Sequence, residues 1–207
     1  MTVAFFHGVA LAFGLIIPLG AQNVFVFNQG ALQKKFSRAL PVILTAALCD
    51  TLLILLAVLG VSLVVLQLAW LQLILFGAGL VFLVYMGWSV WKSEPPNTEQ
   101  DGNVLNAKKQ ILFALSVSLL NPHAILDTIG VIGTSSLSYT GNEKFVFTVA
   151  CVVVSWCWFF ALAIVGKAVG KLDSNGRLIR NINKISAIII WAVAIYIVKQ
   201  LIEQLMA

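Results

Sequence analysis

The chain has 207 residues, 60% hydrophobic and only 10% charged, with a formal charge of +5. Soluble domains are about 45–50% apolar and about 25% charged, so an ordinary soluble fold is excluded and an integral membrane protein indicated. In lipid only helices or closed barrels satisfy the backbone, and these apolar runs are too continuous to alternate as barrel strands.

The expected fold class is therefore all-α, one transmembrane domain over residues 1–207. A span needs about 20 apolar residues. In chain order six spans are predicted, at about Val3 to Phe27, Leu40 to Leu66, Trp70 to Trp91, Ile111 to Val131, Phe145 to Val165 and Ile185 to Leu205. The connections hold the polar residues and breakers: NQGALQKKFSR, the very short QLAW, the longest linker KSEPPNTEQDGNVLNAKK, GTSSLSYTGNEK, and GKAVGKLDSNGRLIRNINK. A secretory signal would need a basic start before a short apolar core. The first basic residue is Lys34, so none is expected, and the tail VKQLIEQLMA matches no lipidation or retention signal.

Lys and Arg in short loops mark the cytoplasmic side. They concentrate after spans one, three and five: Lys34, Lys35 and Arg38; Lys92, Lys108 and Lys109; Lys167, Lys171, Arg177, Arg180 and Lys184. The opposite side has Lys144 and Lys199. Both termini are thus expected outside. Basic residues at helix ends beside anionic lipid account for the net charge without nucleic acid, and no helix is Arg-rich along its length as a voltage sensor would be.

Polar residues inside spans carry the functional information. A carboxylate at the bilayer centre costs about 2.5–3.5 kcal/mol on insertion scales, so it needs a partner, a wet cavity or a proton. Asp50 lies in TAALCDTLLILLAVLG and Asp127 in LLNPHAILDTIG. The alternative for each is a helix-end residue among headgroups. In span one, PLGAQNVFVFNQG places Pro18, Gly20, Gln22 and Asn23 within one and a half turns of an otherwise apolar run.

Overlaying PLGAQNVFV on PHAILDTIG puts Pro18 on Pro122 and Asn23 on Asp127. Two three-span halves follow, about 1–91 and 110–207, joined by a linker over about 92–109. An odd number of spans per half inverts one half relative to the other, the plan of transporters that bind substrate at interrupted helices near mid-membrane. Pro18 and Gly20 then loosen span one, Gln22 and Asn23 supply donors and acceptors at the break, and LNPH, with Asn121 and Pro122, does the same in span four.

The elements PLGAQNVFVFNQG, LCDTLLILLAVLG and LLNPHAILDTIG together resemble those of the LysE/ArgO family of basic amino-acid exporters, over essentially the whole chain. The threonine and homoserine exporters of the RhtB type share the layout but tend to have GPN where this chain has GAQN. The resemblance implies export of L-arginine or L-lysine across a bacterial inner membrane, driven by the proton motive force. It also implies that Asp50 and Asp127 are required for transport.

A cationic substrate fits the residues. A carboxylate in a low-dielectric cavity attracts an ammonium or guanidinium and can hold the latter bidentately. Removed from water, it can hold a proton once the cation leaves. Asp50 and Asp127 are the expected substrate and proton sites, with Gln22, Asn23 and Asn121 binding the substrate carboxylate or orienting the acids. A second possibility is that the acids mainly join the two halves. His123, beside Pro122, suits either a proton path or a helix cap.

Other classes lack their residues. A thiol electron carrier needs cysteines at the helix breaks, whereas Cys49, Cys151 and Cys157 lie in spans two and five and read as packing residues. A metal exporter would cluster histidines, but His7 and His123 are far apart, and no metal or cofactor is expected. A membrane enzyme is the strongest rival, yet nucleophile-elbow, zincin and phosphate-loop motifs are missing. A channel would place its symmetry between subunits. Gly77-Ala78-Gly79 suits close helix packing, within the monomer or in a homodimer, and Trp70, Trp88, Trp91 and Trp191 suit interfacial anchoring.

Overall fold

The computed structural model describes residues 1–17, 20–60, 105–119, 128–172 and 177–206, together with Ile125 and positions scattered between 77 and 92. Among these residues the regular elements are all helical: α1 (Thr2–Ile16), α2 (Ala21–Leu32), a 3-10 turn (Phe36–Ala39), α3 (Leu40–Val58), α4 (Ala107–Leu119), a π-helical segment (Thr128–Gly133), α5 (Gly141–Leu172) and α6 (Arg177–Met206).

The 3-10 turn with α3, and α5, are each long and apolar enough to cross a membrane; α1 and α2 make a third crossing if taken as one broken span. Their side chains are arranged inside out. Along α3 and its C-cap residue Leu59, Leu44, Leu48, Leu52, Leu55 and Leu59 form an exposed apolar stripe, while Val42, Ile43, Ala46, Ala47, Leu53, Ile54 and Ala57 are buried. Five exposed leucines on one helix face suit hydrocarbon rather than water as the solvent. Asp50 belongs to the inner side of this helix.

The first span departs from a single continuous helix. α1 and α2 meet at 80°, and Gly20 enters α2 with an extended backbone. At about 1.5 Å per residue, the 12 residues of α2 cover about 18 Å, short of a hydrocarbon core of about 30 Å. Ten of those residues are buried, so α2 is a half-length helix lodged within the protein. The break falls where the sequence predicts loosening, although Pro18 itself lies outside the described residues. In the second span α3 runs to Val58, and Gly60 follows with φ 77°, a left-handed value that glycine adopts without a Cβ penalty; positions 61–66 of the predicted span lie outside the described residues.

α5 packs along both α1 and α2, through missing side chains. A Cβ at Gly8 would strike the Phe147 carbonyl and Ala150; one at Gly30 would strike the Ala163 backbone; those at Gly166 and Gly170 would strike the carbonyls of Phe27 and Ala31. Backbones can approach this closely only where residues are small. Gly77 has no such neighbour among the described residues, and Ala78 and Gly79 lie outside them. Further along the chain it is Gly87 that makes room, for the Trp191 indole of α6, whose Nε1 donates to the Val84 carbonyl (3.4 Å). Trp88 and Trp91 are exposed, with the ammonium groups of Lys92 and Lys184 over their rings at 4.7 and 5.7 Å. Cys49 and Cys151 are buried free thiols, and Cys157 is an exposed one.

Candidate functional site

Three helices converge on Asp50. Gln22 Nε2 of α2 donates to Asp50 Oδ1 (3.1 Å), and Ser155 Oγ of α5 donates to Asp50 Oδ2 (2.9 Å). The Gln22 amide also lies 3.5 Å from the Ala46 carbonyl one turn back along α3. Both donors are buried, whereas Asp50 keeps part of its surface open. No basic side chain among the described residues pairs with it.

A hydrogen bond to an ionised group contributes about 1.5–3 kcal/mol, so two of them are comparable to the insertion cost of a carboxylate. They make the charge tolerable without neutralising it. A cation brought to about 4 Å would still gain about 4 kcal/mol at an effective dielectric constant of about 20. The group is thus fixed in orientation by neutral donors and left open to a cation or a proton.

The same turn of α5 reaches two further polar groups. Trp156 Nε1 donates to Thr51 Oγ1 (3.0 Å), and that hydroxyl donates to the Ala47 carbonyl (2.7 Å). Trp158 Nε1 donates to Asn23 Oδ1 (3.3 Å). Asn23 in turn donates from Nδ2 to the Ile16 carbonyl (2.6 Å), at the C-terminal end of α1, where the last carbonyls lack helical partners. Gln22 and Asn23 therefore divide the work: Gln22 holds the acid, and Asn23 joins the two halves of the broken span.

Asn121, Pro122, His123 and Asp127 lie outside the described residues. Their flanks are described. Ile125 and Ile129 are buried and cluster with Leu53 and Ala57 of α3, and the helix is π-type over Thr128–Gly133, a form that concentrates at functional sites. Ser155, Thr51, Trp156 and Trp158 are site neighbours that sequence reasoning missed. The available signal was a hydroxyl standing alone in the apolar run VACVVVSWCW. Among the described residues no group of three His, Cys, Asp or Glu side chains forms a metal site.

The family model for LysE type translocators matches residues 13–201. The chain is 54% identical over 193 residues to a Bacillus subtilis (strain 168) protein named "Putative amino-acid transporter YisU", covering 93% of this chain and 88% of that one. It is 30% identical over 208 residues to the arginine exporter protein ArgO of Pectobacterium carotovorum subsp. carotovorum (strain PC1), covering 96% and 98% of the two chains. It is also 30% identical over 214 residues to ArgO of Klebsiella pneumoniae (strain 342), covering 100% and 99%. No solved structure matches it.

Proposed function

Because the chain belongs to the LysE type translocator family, a family of amino-acid exporters, we propose that it exports L-arginine, L-lysine or both across the bacterial cytoplasmic membrane in exchange for protons. The observation that carries this reading is the Asp50 carboxylate, held by Gln22 and Ser155 inside the helix bundle and unpaired with any described base. The names of the ArgO relatives support a cationic substrate.

In this reading the guanidinium or ammonium of the substrate docks on Asp50 from inside the cell. Gln22 and Ser155 keep both carboxylate oxygens in place as it arrives and leaves. A proton then occupies the vacated carboxylate, so the site returns without carrying a bare charge through low dielectric. Asp127 is the proposed second acid, with Asn121 and His123 of the same LNPHAILD segment as its candidate helpers. Six spans in two inverted three-span halves, with both termini outside, are the proposed frame. The broken α1–α2 pair supports interruption in the first half, and the positions 121–124 that the overlay matches to it lie outside the described residues.

The test is efflux from cells loaded with an arginine-containing or lysine-containing dipeptide. The intact chain should speed the appearance of the cationic amino acid outside, a protonophore should abolish that, and Asp50→Asn should lower the rate by about a thousandfold, the equivalent of about 4 kcal/mol, at unchanged protein level in the membrane. Normal export by the variant would remove Asp50 from the mechanism. Efflux of threonine in place of either cation would move the substrate to the neutral class.

A further inference from the structure

A second polar feature lies apart from Asp50, where α2 ends and α3 begins. A cavity of about 530 Å³ is lined by Gln33, Lys34, Ser37, Arg38, Leu105 and Gln110, with Pro41 and Ala107 completing its wall. Among the described residues its lining has two cations and a hydroxyl but no Asp or Glu. Pro41 stands at the start of α3 and Ala107 at the start of α4, so the positive ends of two helix dipoles add to the same field.

The rim is built rather than draped. Gln33 and Gln110 are 2% and 1% exposed, and an amide so buried requires partners. Gln33 Nε2 donates to Gln29 Oε1 (3.1 Å) and to the Leu105 carbonyl (3.1 Å). Gln110 Nε2 donates to the same Leu105 carbonyl (2.9 Å) and to the Arg38 carbonyl (3.0 Å). Two buried glutamines thus clamp the end of α2, the turn bearing Arg38 and the segment leading into α4. The side chains of Lys34, Ser37 and Arg38 remain exposed around the opening. Lys167 of α5 adds a third cation beside it, donating to the carbonyls of Gln33 and Lys34.

We propose that this cavity is an oxyanion site whose ligand is a phosphate group, with Arg38 as the planar donor, Lys34 as the point charge and Ser37 as a neutral donor. Guanidinium groups match phosphate oxygens bidentately, and pockets of about 300–1,000 Å³ hold ligands larger than a phosphoglycerol. The position, at the end of exposed apolar helices, suits the headgroup of an anionic phospholipid. Free phosphate offers the same chemistry.

The experiment uses the full chain, purified in detergent and stripped of lipid. Phosphatidylglycerol, phosphatidylcholine and inorganic phosphate are titrated separately against thermal unfolding, and retained lipid is counted by native mass spectrometry. Phosphatidylglycerol should be retained and stabilising, phosphatidylcholine much less so, and Arg38→Gln should weaken the effect about tenfold, the loss expected for one charge-assisted contact. Stabilisation of the intact chain by millimolar inorganic phosphate, lost in the variant, would assign the site to a free oxyanion. Equal retention by the intact chain and by Arg38→Gln would overturn the proposal. If that variant fails to fold, Lys34→Gln takes its place: weakened retention supports the site, and retention equal to that of the intact chain overturns it.

Discussion

Ser155 Oγ donates to Asp50 Oδ2 across 2.9 Å, although 105 residues separate the two in the chain. The bond ties α5 to α3 beside the one Gln22 makes from α2, so three helices share one carboxylate. A group held by both oxygens meets an incoming cation in a fixed orientation, and that order need not be created anew in each cycle.

Removing the Ser155 hydroxyl should therefore matter more to export than to folding. Ser155→Ala deletes one hydrogen bond to an ionised group, worth about 1.5–3 kcal/mol, and should slow export of the cationic amino acid about tenfold or more at equal membrane level. Ser155→Thr keeps the donor and should recover part of the rate. Initial efflux rates for the three proteins decide it, and equal rates in the alanine variant would make the contact incidental.

Asn23 should behave in the opposite way, because its partners are structural. It donates to the Ile16 carbonyl and accepts from Trp158. Asn23→Leu leaves a helix-end carbonyl and an indole N–H without these bonds, at about 1–3 kcal/mol for each buried group. Thermal unfolding in detergent should show a clear loss of stability. A melting temperature equal to that of the intact protein would mean that the 80° junction is held by something else.

The sequence carried the class of this protein in its composition and carried the first break in Pro18, Gly20, Gln22 and Asn23, because polar residues and breakers are conspicuous in a hydrophobic run. It also singled out Asp50, since an intramembrane carboxylate is costly. The division between Gln22 and Asn23 was not legible. Both are amides at the break, and only the geometry of α2 sends one to α3 and the other back to α1. Ser155 was hidden for a different reason. A lone serine in a span commonly bonds its own helix backbone, as Ser116 does to the Leu112 carbonyl (2.9 Å), and nothing local distinguishes it from one that reaches across the bundle. The positive φ at Gly60 was not legible either, because hydropathy continues unbroken to Leu66.

Glycine provides the sharpest test of the packing. Gly166 and Gly14 both occupy helices, but a Cβ at Gly166 would collide with the Phe27 carbonyl of α2, whereas no described residue lies within 4 Å of one at Gly14. Backbone cannot rotate aside as a flexible side chain does, so Gly166→Ala must push α5 away from α2, and overpacking costs about 1–3 kcal/mol. Gly14→Ala meets no described neighbour and should gain up to about 1 kcal/mol from the better helix former. Unfolding midpoints of the two variants in the same detergent should thus shift in opposite directions. Separating α5 from α2 also disturbs the seat of Asp50, because Ser155 and Gln22 lie on those two helices. Gly166→Ala should therefore lose export as well as stability, while Gly14→Ala exports normally; stability lost without loss of export would show that the α2–α5 contact and the Asp50 seat are independent.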